Sequence, residues 1–230
     1  MTLNLDYNKA LKHVRFLTDE YKPDVLCLQE INTASEHLAT IESYGYRLCD
    51  YANSRVQWGN IYGVATFIFN PHIQEVKSDV ISLPSGFVEI VEFLLNAGRR
   101  QKTVLKTICT VDDKRLSIVN MHLTAYSTNR LRDKQIHEVF QYLKLNSDPA
   151  VILGDFNYPY RRSKFEQIFQ AYNLKEATTN IRSTFRSSIP FIPFRFKTDY
   201  VLYKGLKHVA TQQVKVRYSD HMPLLSTFSL

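Results

Sequence analysis

The chain has 230 residues, of which 44% are hydrophobic and 22% charged, the balance of an ordinary globular protein with enough apolar material for a sizeable core. Lysine and arginine total 29 against 22 acidic residues, and the net charge of +7 favours polyanionic partners (nucleic acid, anionic lipid, phosphorylated small molecules) without choosing among them. No run approaches the roughly 18 apolar residues of a membrane span, no signal-peptide hydrophobic region opens the chain, and the odd set Cys27, Cys49 and Cys109 argues against a disulfide framework, so a reducing, cytoplasmic setting is expected.

In chain order, "TLNL" is a short strand and "NKALKHVRFLTDEY" an amphipathic helix with Ala10, Val14, Leu17 and Tyr21 on one stripe, ended by "KPD". "VLCLQE" is apolar on both faces, as an interior strand of a covered sheet should be. "TASEHLATIESYG" predicts a helix, with Thr33 and Glu36 spaced as a capping box and Gly45 beyond its end. "IYGVATFIFNP" is a strand stopped by Pro71, and "FVEIVEFLLNAGRR" is ambiguous. "TVLKTICTV" and "RLSIVNMHL" flank "DDK" as a hairpin. "NRLRDKQIHEVFQYLKL" is helical, with Leu131, Gln135, Val139 and Tyr142 aligned. "VILGDFN" is a strand, and "SKFEQIFQAYNL" is a helix with Ser163 and Glu166 as a second capping box. "TDYVLY", "VKVRY" and "LLSTFSL" close the chain as strands. No repeat or linker divides it, so residues 1–230 read as a single domain. The strand count exceeds one compact sheet and favours two packed sheets with helices outside.

Several strands carry, at an end, a residue suited to metal or phosphate chemistry: Asn4, Glu30, His122, Asp155 with Asn157, Asp199, and Asp220 with His221. Singly, each reads as a solvated strand end, a hydrogen-bonded core histidine or an Asx turn. Their joint occurrence at the ends of apolar strands is what turns alone do not explain. Gly154 in "GDFN" allows close backbone approach, and alternation along the strand projects Asp155 and Asn157 the same way.

In this order, "LQE", "HL", "GDFN", a late "DY" and a terminal "SDH" resemble the endonuclease/exonuclease/phosphatase superfamily, from Asn4 to His221. The resemblance implies an α/β four-layer sandwich, two mixed sheets face to face with helices outside. It also implies a divalent-metal-dependent phosphodiesterase using Mg²⁺, with Mn²⁺ as a substitute. On that resemblance Glu30 is the main metal ligand, Asn4 supports it and Asp220 lies at the metal side. Asp155 orients or deprotonates the attacking water, or protonates the leaving oxygen. Asn157 donates to the phosphate, His122 and His221 lie against it, and Asp199 pairs with His221. Only three residues precede Asn4, so the first strand is short. Motifs of abasic-site endonucleases and inositol phosphatases are absent.

For substrate, "RSTFRSSIPFIPFRFKTDYV" interleaves Arg182, Arg186, Arg195 and Lys197 with Phe185, Phe191, Phe194 and Phe196. Such a loop could stack bases while neutralising phosphates, dip into a lipid interface, or pack its aromatics inward. Arg132 with Gln135 matches an "R-x-x-Q" of the family, a pair that either supports the site structurally or meets substrate, and Arg132, Arg186 and Arg195 are the candidate substrate contacts. "GRRQK", Gly98 to Lys102, reads as a solvated basic cluster. The expected partner is a phosphodiester substrate, nucleic acid ahead of a phospholipid headgroup or small phosphate. A non-catalytic module is disfavoured by the intact acidic and histidine set. The sequence does not fix the oligomeric state.

Overall fold

The structure, a computed structural model, describes residues 1–57, 59–86, 102–125, 127–144, 148–189, 192–216 and 218–230. Among them are strands β1 (Thr2–Asn4), β2 (Val25–Asn32), β3 (Arg47–Gln57), β4 (Asn60–Ile68), β5 (Ile73–Ser82), β6 (Thr103–Val111), β7 (Lys114–His122), β8 (Ala150–Asp155), β9 (Lys175–Glu176), β10 (Phe185–Ile189), β11 (Ile192–Phe196), β12 (Asp199–Lys204), β13 (Lys207–Gln213) and β14 (Leu224–Ser229). The helices are α1 (Leu11–Tyr21), α2 (Ser35–Glu42), α3 (Asn129–Lys144) and α4 (Arg162–Gln170). The ambiguous "FVEIVEFLLNAGRR", Phe191 and most of "GRRQK" lie outside the described residues. No described helix is long and apolar enough to cross a membrane.

Twelve strands form two six-stranded sheets, ordered β13-β14-β1-β2-β4-β3 and β5-β6-β7-β8-β12-β9, while β10 and β11 make a separate ribbon. Each large sheet is mixed: β1 runs parallel to β2 and antiparallel to β14, and β7 runs parallel to β8. Ala10, Val14 and Leu17 of the α1 region and Leu38 and Ile41 of α2 bury against Leu3, Leu26, Leu28 and Phe67 of the first sheet. Ile136, Val139, Phe140 and Phe165 of α3 and α4 bury against Val104, Val119, Met121 and Ile152 of the second. Between the sheets lie Cys27, Cys109, Ile118, Val151, Leu153, Val201 and Leu224. The architecture is the four-layer sandwich that the motifs imply.

Strand parity explains where the chemistry goes. Side chains alternate faces with a period of two. Val151 and Leu153 face the other sheet while Ile152 faces the helices, so Asp155 falls on the inter-sheet side. The same parity holds for His122 after Ile118, and for Asp199 before Val201. The layer between the sheets therefore grades along the strands from apolar, through the buried amides of Gln29 and Asn120, to the charged end. Gln29 Nε2 donates to Asn120 Oδ1 at 2.7 Å, and Asn120 Nδ2 donates to the Leu28 and Ala65 carbonyls, tying the sheets together just below that end.

Several expectations are corrected. Neither capping box forms: Thr33 Oγ1 bonds Asn53 Oδ1, α2 starts from Ala34, and α4 starts from Arg161 in a left-handed conformation, neither with a side-chain cap. On α3 the buried stripe is Ile136, Val139, Phe140 and Leu143, with Tyr142 exposed. The described residues of "VKVRY", 214–216 and 218, are not in a strand: the antiparallel partner of β14 is β13, which precedes them. The cation–aromatic loop is the β10–β11 ribbon.

Candidate active site

At the charged end, strands of both sheets deliver their terminal residues into one cleft. Asp155 ends β8, directly beside His122 at the end of parallel β7 and Asp199 at the start of β12. Gly154 makes this approach possible. It has φ +135°, and a Cβ there would lie 2.1 Å from the Met121 carbonyl oxygen. Glu30 needs a different device. Parity would send it toward the helices with Leu26 and Leu28. Instead the β2–β4 register shifts between Gln29 and Ile31, and Glu30 sits in the bulge with φ +54°. Bulges re-aim side chains beside functional sites in this way. Asp6, Tyr7 and Asn8 after β1 are all left-handed too, at a cost of about 1–2 kcal/mol per residue. Their turn aims the Tyr7 N–H at Glu30 Oε2 (3.1 Å) and the Asn8 N–H at the Glu30 carbonyl.

In "GDFN" the turn residues and the site residues coincide. Asn157 N–H donates to Asp155 Oδ1 at 2.8 Å, which is an Asx turn. Asn157 Nδ2 also donates to Asp155 Oδ2 at 2.9 Å, and Asn4 Nδ2 reaches the same oxygen from the other sheet at 3.2 Å. The turn and the site are one structure. His221 is held by Asp199, Nδ1 to Oδ2 at 2.8 Å, with its Nε2 3.8 Å from Asp155. His122 Nε2 lies 3.5 Å from Glu30 and 3.8 Å from Asp155.

These groups differ sharply in proton affinity. Burial disfavours the charged imidazolium of His221, but Asp199, Asp155 and the Asp199 hydrogen bond outweigh it and push the pKa up to about 10. Burial drives His122 well below its ordinary value, helped by Lys102, His221 and Arg55, so it is neutral. Burial raises Asp155 to about 7, opposed by His221 and reinforced by Asp199 and Glu30. Burial also raises Glu30 and Asp220. One cleft thus holds a fixed cationic histidine, a neutral one, and carboxylates that burial shifts toward their protonated form.

Asp155, Asp199 and His221 bring donor atoms within 4.8 Å of one another, but Asp199 is already engaged by His221, so this trio is a hydrogen-bonded chain more than a cation cage. The oxygens of Glu30, Asn4 and Asp220 are hard donors of the kind a divalent cation takes: Glu30 is half-buried with its proton affinity raised by desolvation, while the Asp220 side chain is 36% exposed.

Arg132 is not a substrate contact. It is buried, and its guanidinium donates to the Thr124 and Ala125 carbonyls and to Asn129 Oδ1, fixing the loop that follows His122. Arg186 and Arg195 are direct cross-strand partners in the ribbon. The other face of the ribbon carries Phe185, Phe194 and Phe196, and the Phe185 ring lies 4.9 Å from His221. Sequence reasoning missed Tyr7, Arg55 and Lys102. Arg55 Nη1 donates to the Tyr7 hydroxyl and its guanidinium covers the Tyr7 ring at 5.0 Å. Lys102 Nζ is 3.1 Å from His122 Nε2. The hairpin turn at Asp112 and Asp113 held the signal for Lys102, because its register puts Thr103 level with His122.

A model of the endonuclease/exonuclease/phosphatase family matches residues 1–221. The chain belongs to that family. Its members hydrolyse phosphoester bonds and are generally dependent on divalent metal. Among solved structures, D. rerio TDP2 complexed with a single-strand DNA product superposes with TM-score 0.77 at 15% identity, covering 100% of this chain and 97% of that one. The human Nocturnin catalytic domain with bound sulfate gives 0.73 at 18% identity over 98% and 87%. A Bacteroides thetaiotaomicron mannosyl-6-phosphatase gives 0.76 at 14% identity over 100% and 98%. At these identities the likeness is one of fold. A UPF0294 protein of Yersinia enterocolitica is 28% identical over 134 residues, 56% of this chain and 49% of that relative, and one of Vibrio parahaemolyticus is 29% identical over 120 residues, 50% and 40%. The matched stretch spans about half the length of these curated relatives.

Proposed function

We propose that this family member is a magnesium-dependent phosphodiesterase acting on nucleic acid, with Asp155, Asn157, Asp199, His221 and His122 as its reacting and phosphate-binding groups. The observation that carries the reading is the ribbon: an aromatic face reaching His221, backed by paired arginines, borders the cleft in which these groups converge. Aromatic rings among cations suit bases on a polyanionic strand.

Glu30, with Asn4 and Asp220, is the place for the cation, which when bound neutralises charge on the non-bridging phosphate oxygens. The remaining work falls to the chain. His221, kept protonated by Asp199, donates from Nε2 to a phosphate oxygen as negative charge builds there. Asn157 Nδ2 adds a neutral donor beside it. Asp155, shifted toward neutrality by burial, takes the proton of the attacking water, and its position is fixed by Asn4 and Asn157. Water oxygen bonds to phosphorus, the ester P–O bond breaks, and the departing oxygen leaves as an alcohol after protonation from solvent.

One activity panel tests this: single- and double-stranded DNA, RNA, sphingomyelin and sugar phosphates, each with Mg²⁺ and with chelator. Cleavage of a nucleic acid that chelator abolishes supports the reading. Turnover confined to a lipid or a small phosphate overturns the substrate, and full turnover in chelator overturns the metal.

A further inference from the structure

The backbones around Asp155, Asp199 and His221 meet at two buried threonines. Thr184 immediately precedes β10 and Thr198 immediately precedes β12. The N–H groups of Thr198 and Asp199 both donate to Thr184 Oγ1, at 3.0 and 2.9 Å. The Thr184 carbonyl accepts from Met222 N–H, next to His221, and the Thr184 N–H donates to the Phe196 carbonyl at the end of β11. The Thr198 carbonyl accepts from Phe156 N–H, next to Asp155. The Thr198 hydroxyl donates to Asp199 Oδ2 at 3.0 Å, the same oxygen that takes His221 Nδ1 at 2.8 Å. The residue before Thr198 is anchored too: Lys197 Nζ donates to Glu176 Oε1 at 2.6 Å, where the carboxylate side chain is buried.

A hydroxyl oxygen has two lone pairs, and at Thr184 both are taken by consecutive N–H groups of the chain entering β12. A carboxylate at the start of a strand can otherwise turn about its side-chain bonds, and two donors on one oxygen stop Asp199 from doing so. On the reading above, Asp199 acts through His221, whose Nε2 stands 3.8 Å from Asp155. Misplacing a reacting group by about 1 Å costs on the order of 10²-fold in rate. Valine is branched like threonine, so what these two side chains add over an apolar filling is the hydrogen bonding. We propose that Thr184 and Thr198 are positioning residues for the hydrolysis: Thr184 sets the backbone of Asp199, Thr198 sets its carboxylate, and together they hold His221 in line with the reacting groups. The proposal rests on the roles given above to Asp199 and His221, and not on the choice of substrate.

The test compares Thr184→Val and Thr198→Val with Thr184→Ser and Thr198→Ser, each alone and combined with Asp199→Asn, on whichever phosphoester the activity panel finds to be cut. Each valine variant should lower kcat by on the order of tenfold with KM within about twofold of its starting value, a loss confined to the transition state. Each serine variant should recover most of that loss. In the Asp199→Asn background the valine changes should cost less than about twofold, because residues that act as one unit are not additive. A readout independent of turnover is the ring N–H of His221 in isotope-labelled protein. Held by Asp199, it should be protected from exchange with water in the starting protein and the serine variants, and less so in the valine variants. Thermal melting checks the fold. Should Thr184→Val not fold, Thr198→Val carries the test, since it leaves the N–H groups on Thr184 Oγ1 paired. Unchanged kcat, a change in KM alone, losses as large with Asp199→Asn as without it, or unchanged His221 protection overturns the proposal. An Asp199→Asn variant that cuts as fast as the starting protein overturns instead the role given to Asp199.

Discussion

Asp155 is the residue on which the site turns, because it accepts from both sheets and is buried with its proton affinity raised. Asp155→Asn keeps its shape and removes its charge. Single-turnover cleavage should fall by a factor on the order of 10² to 10⁴, while the melting temperature in chelator holds or rises, since a desolvated carboxylate has gone. Near-normal cleavage would reduce "GDFN" to its Asx turn. Asp199→Asn and His221→Ala should behave as one lesion, the double variant being little worse than the worse single. Gly154→Ala drives a Cβ onto the Met121 carbonyl and should cost on the order of 3 kcal/mol, a drop in melting temperature of roughly 6–12 °C for a chain of this size. At this scale the candidate residues could be named from the sequence because chemistry is written in residue types, and the structure brings Asn4, Glu30, His122, Asp155, Asn157, Asp199 and His221 to one end of the sandwich. The aim of Glu30 was not, since it depends on a bulge and a positive φ that parity contradicts. Arg132 carried two readings because a motif fixes a position without saying whether its donors face substrate or the backbone, and its bonds to the Thr124 and Ala125 carbonyls match the structural one.

Among the elements, the β10–β11 ribbon is the one whose purpose the core does not explain. A lone two-stranded ribbon is marginal by itself, and placing Arg186 opposite Arg195 weakens it further. What holds it is the site: Arg186 N–H donates to the Asp220 carbonyl, Met222 N–H to the Thr184 carbonyl, and Phe185 pairs with His221. Phe194→Ser should weaken oligonucleotide binding by about 1–3 kcal/mol, the worth of a stacked base, at unchanged melting temperature. Lost stability with intact binding would return the ring to a packing role. Arg186→Ala and Arg195→Ala should each lower the salt slope of binding by about one. Long periodic elements such as α1, β8 and the β6–β7 hairpin were readable from the sequence because burial on one or both faces dictates their pattern. β3, β5 and β13 were not, because they carry exposed, mixed residues whose strand state comes from pairing partners distant in the chain. The capping boxes failed similarly: Thr33 found a tertiary partner in Asn53.

Considered as a whole, the molecule gathers desolvated carboxylates at one end of an apolar sandwich. Asp155 and Glu30 hold their protons more tightly folded than unfolded, where carboxylates titrate near about 4. Stability present at low pH is therefore lost as pH climbs through the folded values, to about 7 for Asp155. His221 has the same sign, its contribution disappearing as pH rises through about 10. Buried His122 has the opposite sign, its contribution growing as pH rises toward the ordinary histidine value of about 6.5, so the carboxylate effect is read above it: in chelator the melting temperature should fall from about pH 7 to about pH 8.5, and Mg²⁺ should restore more at the higher pH, where the carboxylates are charged. Glu30→Gln should flatten both effects. A chelated protein as stable at the higher pH as at the lower would remove these carboxylates as the source of strain.

The strand order carries a consequence for assembly. The first sheet is built from both extremities of the chain, with β1 clasped between β2 and β14, and Thr2 opposite Leu224. Asn4 and His221 meet in the cleft only once that clasp closes. His221, its partner Asp199 and the ribbon all come from the part of the chain that follows β8, so the cleft needs both halves of the sequence in place. Closure joins segments separated by nearly the full sequence, a slow step by contact-order arguments. The cleft is therefore expected to be among the last parts of the fold to assemble, and a refolding experiment should show metal-dependent activity returning no earlier than the pairing of β1 with β14.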